Sequence, residues 1–307
     1  MTVTTPISPV ALGATLYIPC MRGDLFTAVL GPRRPAGLRS AVLCLEDSVR
    51  EEDLPTALTH LATFLRALVT REAAPTDPLL FIRPRSAAML EHILCMPGIE
   101  HIDGFVVPKA HADTMPAYLS LPLHDRHRLM PTLETREACD PQEMRRFRDQ
   151  LLAVQDRILV LRIGGNDLLQ AMGLRRPANR TAYEGPLGGL IGQLVAGFAP
   201  WGFALSAPVL ERYADAALLR EEVLRDIEHG LLTKTAIHPA QIAVIQNALA
   251  VPADEEEEAR LVLAEGSPAV FGRDGVMCEP ATHRGWAERL LQRASLFGIA
   301  DPRALRA

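Results

Sequence analysis

The chain has 307 residues, 48% of them apolar and 22% charged, with a formal net charge of -5. That length and composition provide ample core for a soluble protein, and barrels of alternating strands and helices often run this long as one domain. The acidic balance and the scattered arginines, with no basic aromatic-rich segment, give no sign of nucleic-acid or acidic-membrane binding.

Along the chain, a short apolar run of strand length is repeatedly followed by a longer amphipathic one. The first strand is predicted at 14–19, with a helix around 24–30 and a Gly/Pro-rich loop over 31–37. The second, 41–45, precedes a helix near 54–69 in which Leu58, Leu61, Phe64, Leu65 and Leu68 fall at helical spacing. Strands at 79–82 and 104–107 follow, with helices over 87–95 and 112–119. The fifth strand, 128–133, runs into Glu134. A helix over 142–154, started by Asp140-Pro141, leads to the sixth strand at 157–163, which stops at Gly164-Gly165 before Asn166-Asp167. The seventh and eighth strands are 202–206 and 233–237, with helices over 210–228 and 239–248. About eight strand-then-helix units predict an α/β fold, a (β/α)8 TIM barrel over residues 1–250, rather than an open sheet. Residues 251–307 read as an extension: an acidic helix start, a hairpin of 269–271 and 276–278 around Asp274-Gly275, and a helix over 282–297 acting as a lid.

Five widely spaced cysteines (Cys20, Cys44, Cys95, Cys139, Cys278) without a Cys-x-x-Cys fit a reduced, cytoplasmic protein. Residues 1–9 lack a basic start and an apolar centre, so no signal peptide is read there. The longest nearly apolar stretch, 187–199, is too short and too glycine-rich to span a bilayer.

Polar groups stand at nearly every predicted strand end: Arg22, Glu46-Asp47, Arg83, Lys109, Glu134, Asn166-Asp167, Ser206 and His238. The C-terminal rim of such barrels holds the active site, so this row reads as a site more than as separate caps and ion pairs. Glu134 and Asp167 would bring two carboxylates to one rim, which suits a hard divalent cation. On these two residues alone the alternative stays open, that Asp167 caps the next helix and Glu134 is solvated.

The same residues carry a resemblance. Leu43-Cys44-Leu45-Glu46-Asp47-Ser48-Val49 resembles the Leu-Asp-Leu-Glu-Asp-Ala-Val segment of the HpcH/HpaI aldolase and citrate lyase beta-subunit-like (malyl-CoA lyase-like) family. The likeness continues through Pro19-x-x-Arg22, Ile82-Arg83, Val107-Pro108-Lys109, Leu133-Glu134-Thr135, Gly165-Asn166-Asp167-Leu168, Lys234-x-x-Ile237-His238-Pro239-x-Gln241 and Asp274-Gly275-x-Met277. It implies a Mg2+-dependent lyase that makes or breaks a carbon–carbon bond next to a carbonyl through a metal-stabilised enolate, acting on a small hydroxy-acid or its CoA thioester. An acyl-CoA thioester hydrolase or condensing enzyme on the same site, and a catalytically silent barrel subunit, are the alternatives.

On this resemblance Glu134 and Asp167 would hold magnesium, and Arg83 would pin a carbonyl or carboxylate and stabilise developing charge. The backbone N–H groups of Gly164, Gly165 and Asn166 would receive a carboxylate, with Arg22, Glu46 and Asp47 completing the substrate site. Lys109 is read as an ion-pair residue in preference to a Schiff-base nucleophile, and His238 as rim packing. Cys44 stands where the family has an aspartate, and Asn166 where many members have glutamate. The loop with Arg33 and Arg34 has no counterpart, and is read as solvated in preference to phosphate-binding. In the resembling family the tail closes over the barrel of a neighbouring subunit and brings in an aspartate. Glu279 takes that place here, which implies a catalytic acid/base and a homotrimer or a multiple of one.

Overall fold

The computed structural model describes residues 7–300; residues 1–6 of the stretch read as carrying no signal peptide, and 301–307 of the extension, lie outside the described residues. Two compact units are present, up to Val244 and from Ile245 onward.

Eight strands, β1 (Ala14–Pro19), β2 (Ser40–Cys44), β3 (Leu79–Arg83), β4 (Gly104–Val107), β5 (Arg128–Leu133), β6 (Leu161–Ile163), β7 (Leu205–Ser206) and β8 (Lys234–Ala236), form the first unit's sheet. Each pairs in parallel with the next as far as β7, and β1 also pairs with β8. A lone parallel bridge from Ala207 to Lys234 joins the two ends, with the Ala207 N–H donating to the Thr233 carbonyl at 2.8 Å. The predicted TIM barrel is the fold observed.

The helices between strands are α1 (Leu25–Val29), α2 (Leu54–Val69), α3 (Ala87–Leu94), α4 (Met115–Leu119), α5 (Pro141–Leu152), α6 (Gly165–Ala171), α7 (Pro186–Phe198) and α8 (Ala216–Glu228), with α9 (Ala240–Ala248) after β8. Of these, α6 is the helix expected to begin at the glycines after the sixth strand, whereas α7 has no counterpart in the sequence reading. The apolar stretch 187–199 is mostly α7, started by Pro186 and buried through Leu187, Leu190, Ile191, Leu194 and Phe198. Among the described residues no helix is long and apolar enough to cross a membrane. Helix α8 starts later than predicted, where the Asp215 carboxylate accepts the Leu218 N–H at 3.0 Å.

Side chains alternate along a strand, so every second residue enters the barrel. Val42, Phe81, Val106, Met130 and Val160 build one apolar interior layer with Leu12 and Leu159. Two residues further along their strands come Cys44, Arg83, Thr132 and Arg162, which with Tyr17 and Thr235 line a cavity instead of filling it. The interior thus changes from apolar to polar within one layer. On β8 the alternate residue, Lys234, meets α8: its ammonium lies 2.9 Å from both Glu222 and Asp226, all three buried.

The second unit holds α10 (Ala253–Leu263), an antiparallel hairpin of β9 (Phe271–Arg273) and β10 (Val276–Cys278), and α11 (Pro280–Phe297). Asp274 and Gly275 turn the hairpin with φ of 49° and 80°. Val251, Ala259, Val262, Ala287 and Leu290 form its core.

Candidate active site at the rim of the barrel

Where β2, β3, β5 and β6 end, a cavity of about 370 Å³ opens among Glu46, Asp47, Arg83, Glu134 and Asp167. Glu134 is 4% exposed. Its carboxylate accepts two hydrogen bonds from Arg83 Nη2, at 3.0 and 3.2 Å, and one from the backbone N–H of Lys109 at 2.7 Å. Lys109 directs that N–H from a left-handed backbone, φ 48°, a conformation costly for a lysine and tolerated where the surroundings hold it. The same Arg83 nitrogen reaches Glu46 at 2.7 Å, so one guanidinium ties β2 to β5 across the mouth. The Lys109 ammonium lies 3.4 Å from Glu46 and 3.9 Å from Asp47, the ion pairing expected of it.

Asp167 stands in the first turn of α6, just past the end of β6. The chain can reach it because residue 164 has no side chain: a Cβ on Gly164 would overlap Glu134 and sit 2.6 Å from Oε2. Gly165 is equally confined, with Pro208 Cβ 2.8 Å from where its own Cβ would be. Both glycines and Asn166 line the cavity.

Burial raises the pKa of Glu134 to about 7; Asp167 and Glu46 add to the effect, while Arg83 and the Lys109 N–H oppose it. Asp167 is raised by burial and by Glu46, and Asp47 likewise. Glu46 is lowered, because Arg83, its bonds with Asp47, and Lys109 together outweigh burial. A bound cation would relieve the mutual repulsion of these carboxylates.

Among the described residues no three His, Cys, Asp or Glu side chains converge as a ready-made cage. An ion at Glu134 and Asp167 would therefore complete its shell with water or ligand oxygens. Magnesium binds in this way, through one or two carboxylates, whereas a closed tetrahedral zinc site needs four protein donors. The donor set fits magnesium.

The other sequence-predicted residues lie elsewhere or act differently. Arg22 is outside the cavity lining and forks onto Asp24 with two bonds of 2.9 Å. Arg33 joins the same aspartate at 3.2 Å, and Arg34 reaches Asp77 at 3.5 Å. His238 stacks on Tyr213, ring centroids 4.6 Å apart, and accepts the Ala240 N–H. Cys44 is buried in the lining. Glu279 belongs to the second unit, where it stands at the N-cap position of α11 without a side-chain bond to the helix amides, and its carboxylate accepts from the Thr282 hydroxyl at 3.3 Å. Sequence reading passed over Arg162, Tyr17, Thr132 and Thr235, although the inward alternation of their strands was a signal for them.

Residues 6–299 match the family described as C-C bond lyase of the TIM-barrel fold. The chain is similar to the CitE protein of Mycobacterium tuberculosis solved with magnesium, acetoacetate and coenzyme A, at 22% identity and a TM-score of 0.69, covering 94% of this chain and 99% of that one. A citrate lyase beta subunit from M. tuberculosis complexed with oxaloacetate and magnesium is similar at 20% identity and a TM-score of 0.57, over 78% and 97% of the two chains. Malate synthase of Haloferax volcanii is similar at 18% identity and a TM-score of 0.63, over 84% and 81%. At these identities the structural likeness speaks for the fold. No curated protein matches the chain.

Proposed function

Since the chain belongs to the carbon–carbon bond lyases of the TIM-barrel fold, we propose that it is a magnesium-dependent lyase for a small hydroxy-acid or its CoA thioester, breaking or forming the bond beside a carbonyl. The observation that carries this reading is the buried Glu134, held by Arg83 and Lys109 in a cavity that it shares with Asp167. Glu134 and Asp167 would hold magnesium, which when bound supplies Lewis acidity and a chelation point for a substrate carboxylate and its neighbouring oxygen.

The remaining work falls to this chain's own groups. Arg83, fixed between Glu46 and Glu134, would orient the reacting carbonyl and oppose developing negative charge. Gly164, Gly165 and Asn166 would offer backbone N–H groups to a carboxylate, and Glu46 and Asp47 would hold Arg83 and Lys109 in place. Arg22 would reach only a substrate that extends beyond the cavity. Glu279 would serve as acid/base on the extension of a neighbouring subunit, making the active form a homotrimer or a multiple of one. Free thiols at all five cysteines suit a cytoplasmic setting. The M. tuberculosis structures, which hold magnesium with acetoacetate and coenzyme A or with oxaloacetate, support this choice of metal and ligand class.

Calorimetric titration of the chelator-treated protein with magnesium, followed by assay of hydroxy-acids and their CoA thioesters for released carbonyl product, tests the reading. Magnesium binding that disappears in both Glu134→Gln and Asp167→Asn, with metal-dependent cleavage in the wild type, is expected. A wild type that binds no magnesium would overturn it, as would cleavage indifferent to chelation.

A further inference from the structure

Between the apolar layer and the acidic rim lies a cation that this reading leaves unused. Arg162, on β6, is 1% exposed and lines the same cavity as Glu134 and Asp167. Its Nη2 donates to Thr235 Oγ1 at 2.6 Å, its Nη1 approaches Met130 Sδ at 3.8 Å, and its Cζ lies 5.3 Å from the centre of the Tyr17 ring. The Nε has no partner. The other deeply buried cations of this unit each face a carboxylate: Arg83 meets Glu46 at 2.7 Å, Arg176 meets Glu222 at 2.8 Å, and Lys234 meets Glu222 at 2.9 Å. Among the described residues Arg162 has no such counter-charge. Burial depresses its pKa, and the nearby Arg83 adds to that, while the Tyr17 phenol opposes both.

Two residues that line the same cavity also hold buried atoms without a hydrogen-bond partner, the Thr132 hydroxyl and the Arg83 Nε. A buried guanidinium without an anion is costly, and so are polar atoms without partners. A carboxylate entering the cavity would give Arg162 the counter-charge it lacks, with Thr132 beside it on the neighbouring strand. A carboxylate matches a planar guanidinium through two parallel bonds, and hydroxyls on β5 and β8 can flank it.

We propose that Arg162 is a specificity-determining residue that receives a second carboxylate of the substrate at the floor of the cavity, so that the enzyme takes a small dicarboxylic acid in preference to a monocarboxylic one. This rests on the magnesium-lyase reading, which places the first carboxylate at the rim. The substrate then spans the cavity, one acid group near Glu134 and Asp167 and the other between Arg162, Thr132 and Thr235.

The test compares 2-oxo acids matched in length with and without the terminal carboxylate, oxaloacetate against 2-oxobutyrate and 2-oxoglutarate against 2-oxopentanoate, by calorimetry with magnesium present. The diacid of at least one pair should bind roughly tenfold to a hundredfold more tightly, the range for a hydrogen-bonded charge pair. In Arg162→Met that ratio should fall to about one, and in Arg162→Lys to an intermediate value, because an ammonium keeps the charge but not the fork. The Met variant should also melt at or above the wild-type temperature, since it removes an unmatched buried charge; an arginine with a merely structural role would lower it. Equal binding of diacids and monoacids by the wild type overturns the inference without any variant, and so does a diacid advantage that persists in Arg162→Met. Failure of magnesium itself to bind is a separate result, and overturns the lyase reading together with what rests on it.

Discussion

Glu134 takes donors from two sources, a guanidinium and a backbone amide, yet burial keeps its pKa near 7. Its folded pKa lies above its unfolded value, so between about pH 4.3 and 7 the native protein holds the extra proton. The metal-free protein should therefore lose stability as pH rises through that window. Magnesium needs the ionised carboxylates, so the melting-temperature gain from added magnesium should be small at pH 5 and large at pH 7.5. A gain that does not change with pH would count against Glu134 as a ligand. Arg83→Lys tests the neighbouring group. Arg83 meets Glu46 and Glu134 through one nitrogen, Nη2. A lysine ammonium would spend its single nitrogen on them and offer a substrate oxygen no planar fork, so kcat/KM should fall by roughly a hundredfold or more. Activity within a few-fold of wild type would remove Arg83 from the site.

At the scale of the element, the meeting of β5 and β6 decides the site, and it depends on one missing methyl group. Gly164→Ala would drive a Cβ into Glu134 and should weaken magnesium binding at least tenfold by calorimetry, whereas Gly189→Ala in α7, with open space around it, should be neutral or stabilising by up to about 1 kcal/mol. Equal effects would show that the close approach at 164 is not needed. Lys234→Met should cost about 3–5 kcal/mol, read from the urea midpoint, because it leaves the buried Glu222 and Asp226 without their shared cation. Much of this was legible in the sequence. The spans of β1, β4, β5 and α2 are those predicted, because apolar runs bounded by turn residues leave little choice. Helix α7 was not, since Gly188, Gly189, Gly192 and Gly197 make a helical stretch look like loop material. Strand β6 is shorter than predicted because Ile158 forms only an isolated bridge with Leu129 before the ladder begins at Leu161. The rim carboxylates could be read because they follow strand ends. Arg162 was harder to read: strand alternation from Val160 points it inward, but a charged residue inside an apolar run does not by itself say that the interior turns polar at its level.

Across the whole molecule, the barrel and the extension are separate compact units, and Glu279 lies in the second. If Glu279 serves a neighbouring barrel, Glu279→Gln and Asp167→Asn proteins, each inactive alone, should regain activity when mixed under subunit exchange. No recovery despite proven exchange would confine Glu279 to its own chain or remove it from catalysis. The ring of strands has its own weak point, since β7 contributes two residues and only a lone bridge, Ala207 to Lys234, closes it against β8. Two backbone bonds span that seam, Ala207 N–H to Thr233 at 2.8 Å and Thr235 N–H to Ala207 at 3.3 Å, against a five-residue register between β1 and β2. Stability is local, so in deuterated solvent the amides of Ala207 and Thr235 should exchange well before those of Ile18 and Leu43. Thr235 also holds Arg162, so the exchange rate at that one amide becomes a gauge of occupancy, slowing when a ligand bridges the interior and unchanged when one binds only at the rim.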